Sequence, residues 1–447
     1  MPKHQKQVPK ITARAFGRIR LARLWLFAFL IVYSISLVFL YRLYVAPVFP
    51  EYPDLNFCPL RAVEVSIISV LIFFSVPDKW LRPSQFYYTM LIVGVFIPMS
   101  VIYLWSTQDR EYFYIVIFTV LFIWAFIKFP KISFCRLNLI NSKVLLSLFI
   151  FNIAFLFAYL IFINKGHYSL SLKNIYSHRS YFGNMITGTW GYLLPWTGKI
   201  IIPTLVGYFL WKKNLLFSFV FSLTGLLLFP LTSHKVYIIF AVMPFVLYLL
   251  FQWQRPTLSL IFVLLAGFVV AVFMEYLIDN IWGVALLIQR GTFKPALLNF
   301  TYANLFKDME PVMLANSSIM PFIKNPYDVS HPFLVGEFLK GSLQTRSNTG
   351  FLGTGYAHFG LFGPLIFGMF VAFLLKILDS ISRTIPIWLV CVVSIGPFSS
   401  LLVMADFLPS LATHGVILCL LMLWTSGNLF MNDFTLYSSQ EKQGKGN

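Results

Sequence analysis

From Leu24 onward the sequence keeps returning to apolar runs, about twelve in all, each near the length of about 20 residues that a helix needs to cross a hydrocarbon core. They begin near Leu24, Leu60, Phe86, Tyr112, Val144, Trp190, Leu215, Val236, Leu258, Phe359, Ile385 and Ser410. The second run is short and carries Glu64. With 58% hydrophobic and 11% charged residues, the 447-residue chain is too apolar for a soluble globule. The pattern predicts an all-α polytopic membrane protein of about 12 transmembrane helices. It forms one membrane domain over residues 1–447, with a basic arm at 1–23, external loops at 164–189 and 275–346, and a tail at 430–447.

The formal net charge of +18 reads as a topology signal and not as an affinity for nucleic acid. With the N-terminus inside, about 20 of the 34 Lys and Arg fall on the cytoplasmic side, against about 4 of the 16 acids. The arm MPKHQKQVPKITARAFGRIRLAR, the KFPKISFCR connection and the WKKN turn all fall inside, where they also favour anionic membrane lipids. Both termini are therefore expected in the cytoplasm. The first apolar run is a full span with no small-residue cleavage site, so it reads as a helix and not as a signal peptide.

No metal or nucleotide chemistry announces itself. Cys58 falls outside, Cys135 inside, and Cys391 and Cys419 within spans, so no pair offers a clamp, and HExxH and CxxC are absent. The stretch NTGFLGTGYAHFGLFG, Asn348 to Gly363, has five glycines, yet an all-apolar helix follows it where a phosphate-binding loop needs a soluble βαβ unit. Ala357, Gly360 and Gly363, with Gly353, suggest a bare helix stripe that admits a neighbouring helix or a lipid-linked substrate. Asn348 and Thr349 are placed to cap that helix, whose free amides would favour an anion.

The second external loop is too long to be structureless. GVALLIQRGTFKPALLNFTYANLF reads as a helix interrupted at Pro295, and PYDVSHPFLVGEFLKG as a turn and short helix, so the loop is expected to lie as a lid on the outer face. Counting crossings puts Arg179, Lys235, Arg290 and His414 on that one face. Singly, each has an ordinary reading: a solvated loop cation, an interface anchor or a helix cap. Tyr176, Tyr181, Tyr302 and Tyr356 suit sugar rings, and equally an aromatic belt.

Five segments taken in order resemble the Wzy-type oligosaccharide repeat-unit polymerases of bacterial O-antigen and capsule synthesis. They are YSHRSYFG around Arg179, SHK ending at Lys235, RGTFKPALLNFTY from Arg290 to Tyr302, NTGFLGTGYAHFGLFGPL from Asn348, and LATHG around His414. The resemblance covers Tyr176 to Leu420. Where such families often have glycine and a small hydroxyl residue before the lysine, this chain has Ser233 and His234.

The resemblance implies a glycosyltransferase C-like membrane enzyme of the bacterial cytoplasmic membrane, using undecaprenyl-diphosphate-linked glycans without metal, nucleotide or other cofactor. It also implies a flippase and a chain-length regulator as partners. In such a reaction a sugar hydroxyl attacks an anomeric carbon and expels a diphosphate, whose growing charge fixed cations must hold. The arginine fork suits diphosphate, which points to Arg179 and Arg290, with Lys235 as a third cation. His414 is the first candidate for the general base, with Glu337 and Asp406 as alternatives. Tyr302, Asn348 and Gly355 complete the expected substrate contacts. Two other classes share part of this pattern: an O-antigen ligase, which expels the same leaving group, and a transporter of lipid-linked oligosaccharide, which would carry ionisable residues in its helices, where this chain has few, chiefly Glu64 and Lys199.

Overall fold

The computed structural model describes residues 13–425 and 429, apart from residues 54, 131–136, 138, 139, 166, 167, 169–181, 184, 280, 316–319 and 321. The described residues form helices and connections, with no strand among them. Hydrocarbon dictates this outcome, because a crossing segment must satisfy its own backbone N–H and C=O groups. Among the described residues, ten helical segments are long and apolar enough to cross a membrane, and the apolar helix Val236–Gln252 is shorter. The expected second span is the 17-residue helix Pro59–Ser75. Its Glu64 is engaged by Arg110, Tyr103 and Tyr114.

In chain order the helices are α1 (Ala13–Leu40), α2 (Pro59–Ser75), α3 (Pro83–Leu91), α4 (Ile97–Trp105), α5 (Arg110–Lys128) and α6 (Ser142–Asn164). They continue as α7 (Trp190–Trp196), α8 (Ile202–Trp211), α9 (Leu215–Thr232), α10 (Val236–Gln252), α11 (Pro256–Ile278) and α12 (Lys294–Phe306). The last are α13 (His331–Lys340), α14 (Phe351–Phe359), α15 (Gly363–Ile381), α16 (Ile387–Ser399), α17 (Phe407–Leu411) and α18 (Val416–Thr425). Wide π-helical turns interrupt several spans: Ile92–Phe96 joins α3 to α4, Thr197–Ile201 joins α7 to α8, and Ser400–Met404 follows α16.

Charged side chains bonded to backbone define a basal end. The Arg23 guanidinium donates to the carbonyls of Val76 and Phe74, so the apolar part of α1 starts beside the end of α2. Arg82 donates to Ile127 O at the end of α5, and Asp379 near the end of α15 accepts the Ser84 amide and hydroxyl at the start of α3. The Lys376 ammonium, 2% exposed, donates to the carbonyls of Phe126, Ile127 and Phe129. A cation on a helix C-terminus and a carboxylate on a helix N-terminus both oppose the partial charges of those ends.

At the distal end the expected long loop is a folded cap. A π-helical segment, Val284–Phe293, turns back along α11, with Gly283 so near Ala271 that an added Cβ would stand 3.0 Å from its Cα. Pro295 does not interrupt a helix there; it sits in the first turn of α12, where a missing N–H costs nothing. The far end of α12 is tied down by Asn304 to Gln108 and by the Lys307–Asp109 ion pair at 2.7 Å.

The glycine-rich stretch departs from expectation. Phe351–Ile381 is a single apolar run of 31 residues, but it breaks at Gly360, whose φ of +63° is left-handed and suits glycine. Helix α14 folds back against α15, and Gly355 meets Gly363 backbone to backbone: a Cβ on Gly363 would lie 1.7 Å from Gly355 O. The glycines therefore build a tight helical hairpin and not one bare stripe. Neither Asn348 nor Thr349 caps α14. Its Gly353 amide is taken instead by Asn299 Oδ1, 2.8 Å away on α12.

Candidate functional site

Two polar clusters lie in the distal half, at opposite ends of the five-residue helix α17. The first gathers His331 from the start of α13, His358 from the end of α14, and Asp406 from the turn between the α16 span and α17. Sequence puts these residues on three separate segments, and the hairpin at Gly360 with the cap brings them together. His358 Nε2 lies 3.1 Å and His331 Nε2 3.4 Å from the same Asp406 oxygen, Oδ2, while Oδ1 accepts the Phe407 amide at 2.6 Å. Tyr302 packs edge-on to His331, with ring centroids 5.9 Å apart, and donates its hydroxyl to Ser347 O at 2.9 Å.

Three ligand atoms within 4.8 Å of one another suit a metal ion by distance. The proton inventory argues otherwise. His358 Nδ1 accepts the Leu314 amide at 3.1 Å, so its proton resides on Nε2 and points at Asp406. A metal on that nitrogen would require an imidazolate, whereas metal-bound histidines ordinarily donate their other N–H. The arrangement is better suited to moving a proton. His331 is 5% exposed and neither ring nitrogen makes a hydrogen bond. Burial lowers its pKa to about 4, with His358 pushing the same way and Asp406 opposing, so the ring is neutral at pH 7. For Asp406, burial alone would raise the pKa; the two histidines and the Phe407 amide outweigh it and hold the carboxylate ionised.

The second cluster is built from three spans. Lys199, in the π-helical turn between α7 and α8, places Nζ 2.8 Å from Ser400 Oγ and 3.0 Å from His414 Nδ1. Gly396 backs it, since a Cβ there would stand 2.4 Å from Lys199 O. Trp196 Nε1 donates to Ala412 O at 2.9 Å and holds the turn before His414. An ammonium donating to Nδ1 occupies the lone pair a base would use and leaves the ring proton on Nε2. His414 is thus the lysine's partner, while Asp406, named with Glu337 as an alternative to it, lies beside the neutral His331.

The other expected residues fall as follows. Arg179, with Tyr176 and Tyr181, lies outside the described residues. Lys235 starts α10, half-buried, its Nζ 5.8 Å from the centre of the Trp282 ring. Arg290 is exposed on the π-helical segment of the cap. It is one charge of a basic group that includes Lys294 and Lys340; burial lowers the Lys294 pKa, Glu51 at 3.4 Å opposes, and the neighbouring Lys340 and Arg290 add to the lowering. Glu337 and Asn348 are exposed. Two expected substrate contacts are packing residues: Gly355 has no room beside Gly363, and Tyr302 is fully buried with its hydroxyl spent on Ser347.

Sequence reasoning gave no role to His331 or His358, and noted Lys199 only as an intramembrane charge. For Lys199 the signal was present, because a lysine inside an apolar run is costly and rarely idle. No family model matches the chain, and no curated protein or solved structure matches it.

Proposed function

We propose that the protein is a membrane glycosyltransferase that polymerises undecaprenyl-diphosphate-linked oligosaccharide repeat units, its distal end facing outward from the bacterial cytoplasmic membrane. The observation that carries this reading is the buried pairing of an ionised carboxylate, Asp406, with a neutral imidazole, His331, under the distal cap. Such a pair can accept the proton of a sugar hydroxyl. The hydroxyl oxygen then bonds to the anomeric carbon of the second lipid-linked chain, and the bond from that carbon to the phosphate oxygen breaks. The proton passes to His331, and undecaprenyl diphosphate leaves as the anion. Arg179, Arg290 and Lys235 are the cations assigned to the departing charge, a role for which the arginine fork is suited.

Complementation of a strain lacking the gene tests the reading. The expected result is that the intact chain restores a ladder of long glycans and the His331→Ala and Asp406→Asn variants, at equal protein levels, leave single-repeat product. Arg290→Ala and Arg179→Ala should fail likewise, and lysine at either position should restore only part of the ladder. A ladder that persists on the lipid carrier without the gene, but is missing from lipid A core, would identify a ligase instead. Transport of lipid-linked oligosaccharide is a second reading, favoured by the Lys199–His414 pair inside the spans. It predicts single-repeat product trapped on the cytoplasmic face.

A further inference from the structure

Among the described residues two lysines are buried, Lys199 and Lys376, and they are buried differently. Lys376 sits on the carbonyl ends of α5, which carry partial negative charge. Lys199, 5% exposed, has only a serine hydroxyl and an imidazole as partners, and no carboxylate pairs with it among the described residues. A buried charge is normally paired, because removing it from water is otherwise costly. The nearest titratable group, His414, accepts from the ammonium as a neutral imidazole, so it supplies no opposing charge.

Its construction is not casual. Lys199 and Ser400 both lie in π-helical turns, which recur at functional sites because they redirect side chains from the regular helical pattern. Gly396 lies against the Lys199 backbone, and Gly415, at φ +80°, lies against Ile200 and Trp196. Three spans are thus held close around one ammonium. Beside it His414 and Trp196 are half-buried, whereas Lys199 and Ser400 are buried.

We propose that Lys199, His414 and Ser400 form an anion site that takes a diphosphate at membrane depth. The Lys199 ammonium supplies the charge, Ser400 and the His414 imidazole supply hydrogen bonds, and a diphosphate oxygen supplies the missing counter-charge. That the anion belongs to a polyprenyl diphosphate rests on the function proposed above; that the site takes a diphosphate at all does not.

Equilibrium binding to the full chain in lipid nanodiscs tests this, with labelled farnesyl diphosphate as probe and inorganic pyrophosphate as competitor. The expected result is saturable binding that Lys199→Met weakens at least tenfold and Lys199→Arg largely keeps, with Ser400→Ala weakening it less. Competition by pyrophosphate at equal concentration would assign the site to the free anion, and competition only at large excess to the lipid-linked form. A melting experiment guards against misfolding. Lys199→Met should melt higher than the parent without probe, because it removes an uncompensated charge, and should lose the stabilisation that the probe gives the parent. Absence of binding to the parent chain, or binding by Lys199→Met equal to the parent's, overturns the proposal. So does binding that is lost in Arg290→Gln but intact in Lys199→Met, which would put the anion on the cap. The glycan ladder reads the enzyme and not this site, so a normal ladder with no Lys199-dependent binding sinks only the anion site. Lys199-dependent binding with no effect of the gene on any glycan sinks only the polymerase.

Discussion

Both ends of the bundle set charges on helix termini, at the distal end Arg61 on the carbonyls at and after the end of α4 and Asp109 on the first turn of α5, but they differ in what else their charges meet. At the basal end Arg23, Arg82, Lys376 and Asp379 all reach backbone groups at helix termini. There, charge substitutes for capping and holds spans in register. At the distal end the ionisable side chains meet one another: Asp406 with two histidines, Lys199 with His414. Such contacts organise little backbone, and they leave protons and charge available. The distal end is therefore where the proposed chemistry is placed.

The largest effect that would test this contrast is catalytic. His331→Gln should lower the rate of polymer growth by about 100-fold or more, in the range of a lost general base, while moving the melting temperature little. A comparable loss of rate in Lys376→Met at its growth temperature, with folding intact, would erase the distinction between the ends. The next effect is on packing: Gly363→Ala drives a methyl group into Gly355 and should destabilise the fold by about 1–3 kcal/mol, seen as a lower melting temperature in detergent. Lys376→Met leaves three carbonyls of the α5 end without their donor and should cost about 1–3 kcal/mol, the reverse in sign of Lys199→Met.

A smaller effect comes from pH. His331 has its folded pKa lowered to about 4 from 6.5, so between these values the unfolded chain binds a proton that the folded chain refuses. Stability should therefore fall as pH drops from 6.5 toward 4, and His331→Gln should flatten that slope in melting curves. Least of all, Asn348→Ala, at an exposed position outside the α14 cap, should stay within about 0.5 kcal/mol of the parent.

Much of the fold was legible in the chain. Each of the twelve apolar runs overlaps a helix, and where the expectation of twelve full spans falls short, the shorter helices α2 and α10 account for it. The glycine stretch was misread for a definite reason. A continuous apolar run of 31 residues looks like one helix, and nothing in hydropathy distinguishes a glycine that packs within a helix from one that ends it at φ +63°. Capping of α14 was misassigned for a similar reason, since the amide's acceptor, Asn299, comes from another helix. For the candidate site, Asp406 was among the sequence candidates, but the histidines that give it a role were not.

The sequence by itself determined that this chain lives in a membrane as a helical bundle with a strong basic bias, because transfer from water to lipid is a sum over neighbouring residues and is local in the chain. Only the tertiary structure decided which polar groups meet. His358 and Asp406 are 48 positions apart and Lys199 and His414 are 215 apart, distances over which no local pattern carries information. Their pairing follows from how the spans pack, from the hairpin at Gly360 and from the fold of the distal cap. Burial, which sets their protonation and their need for partners, exists only once that packing is complete.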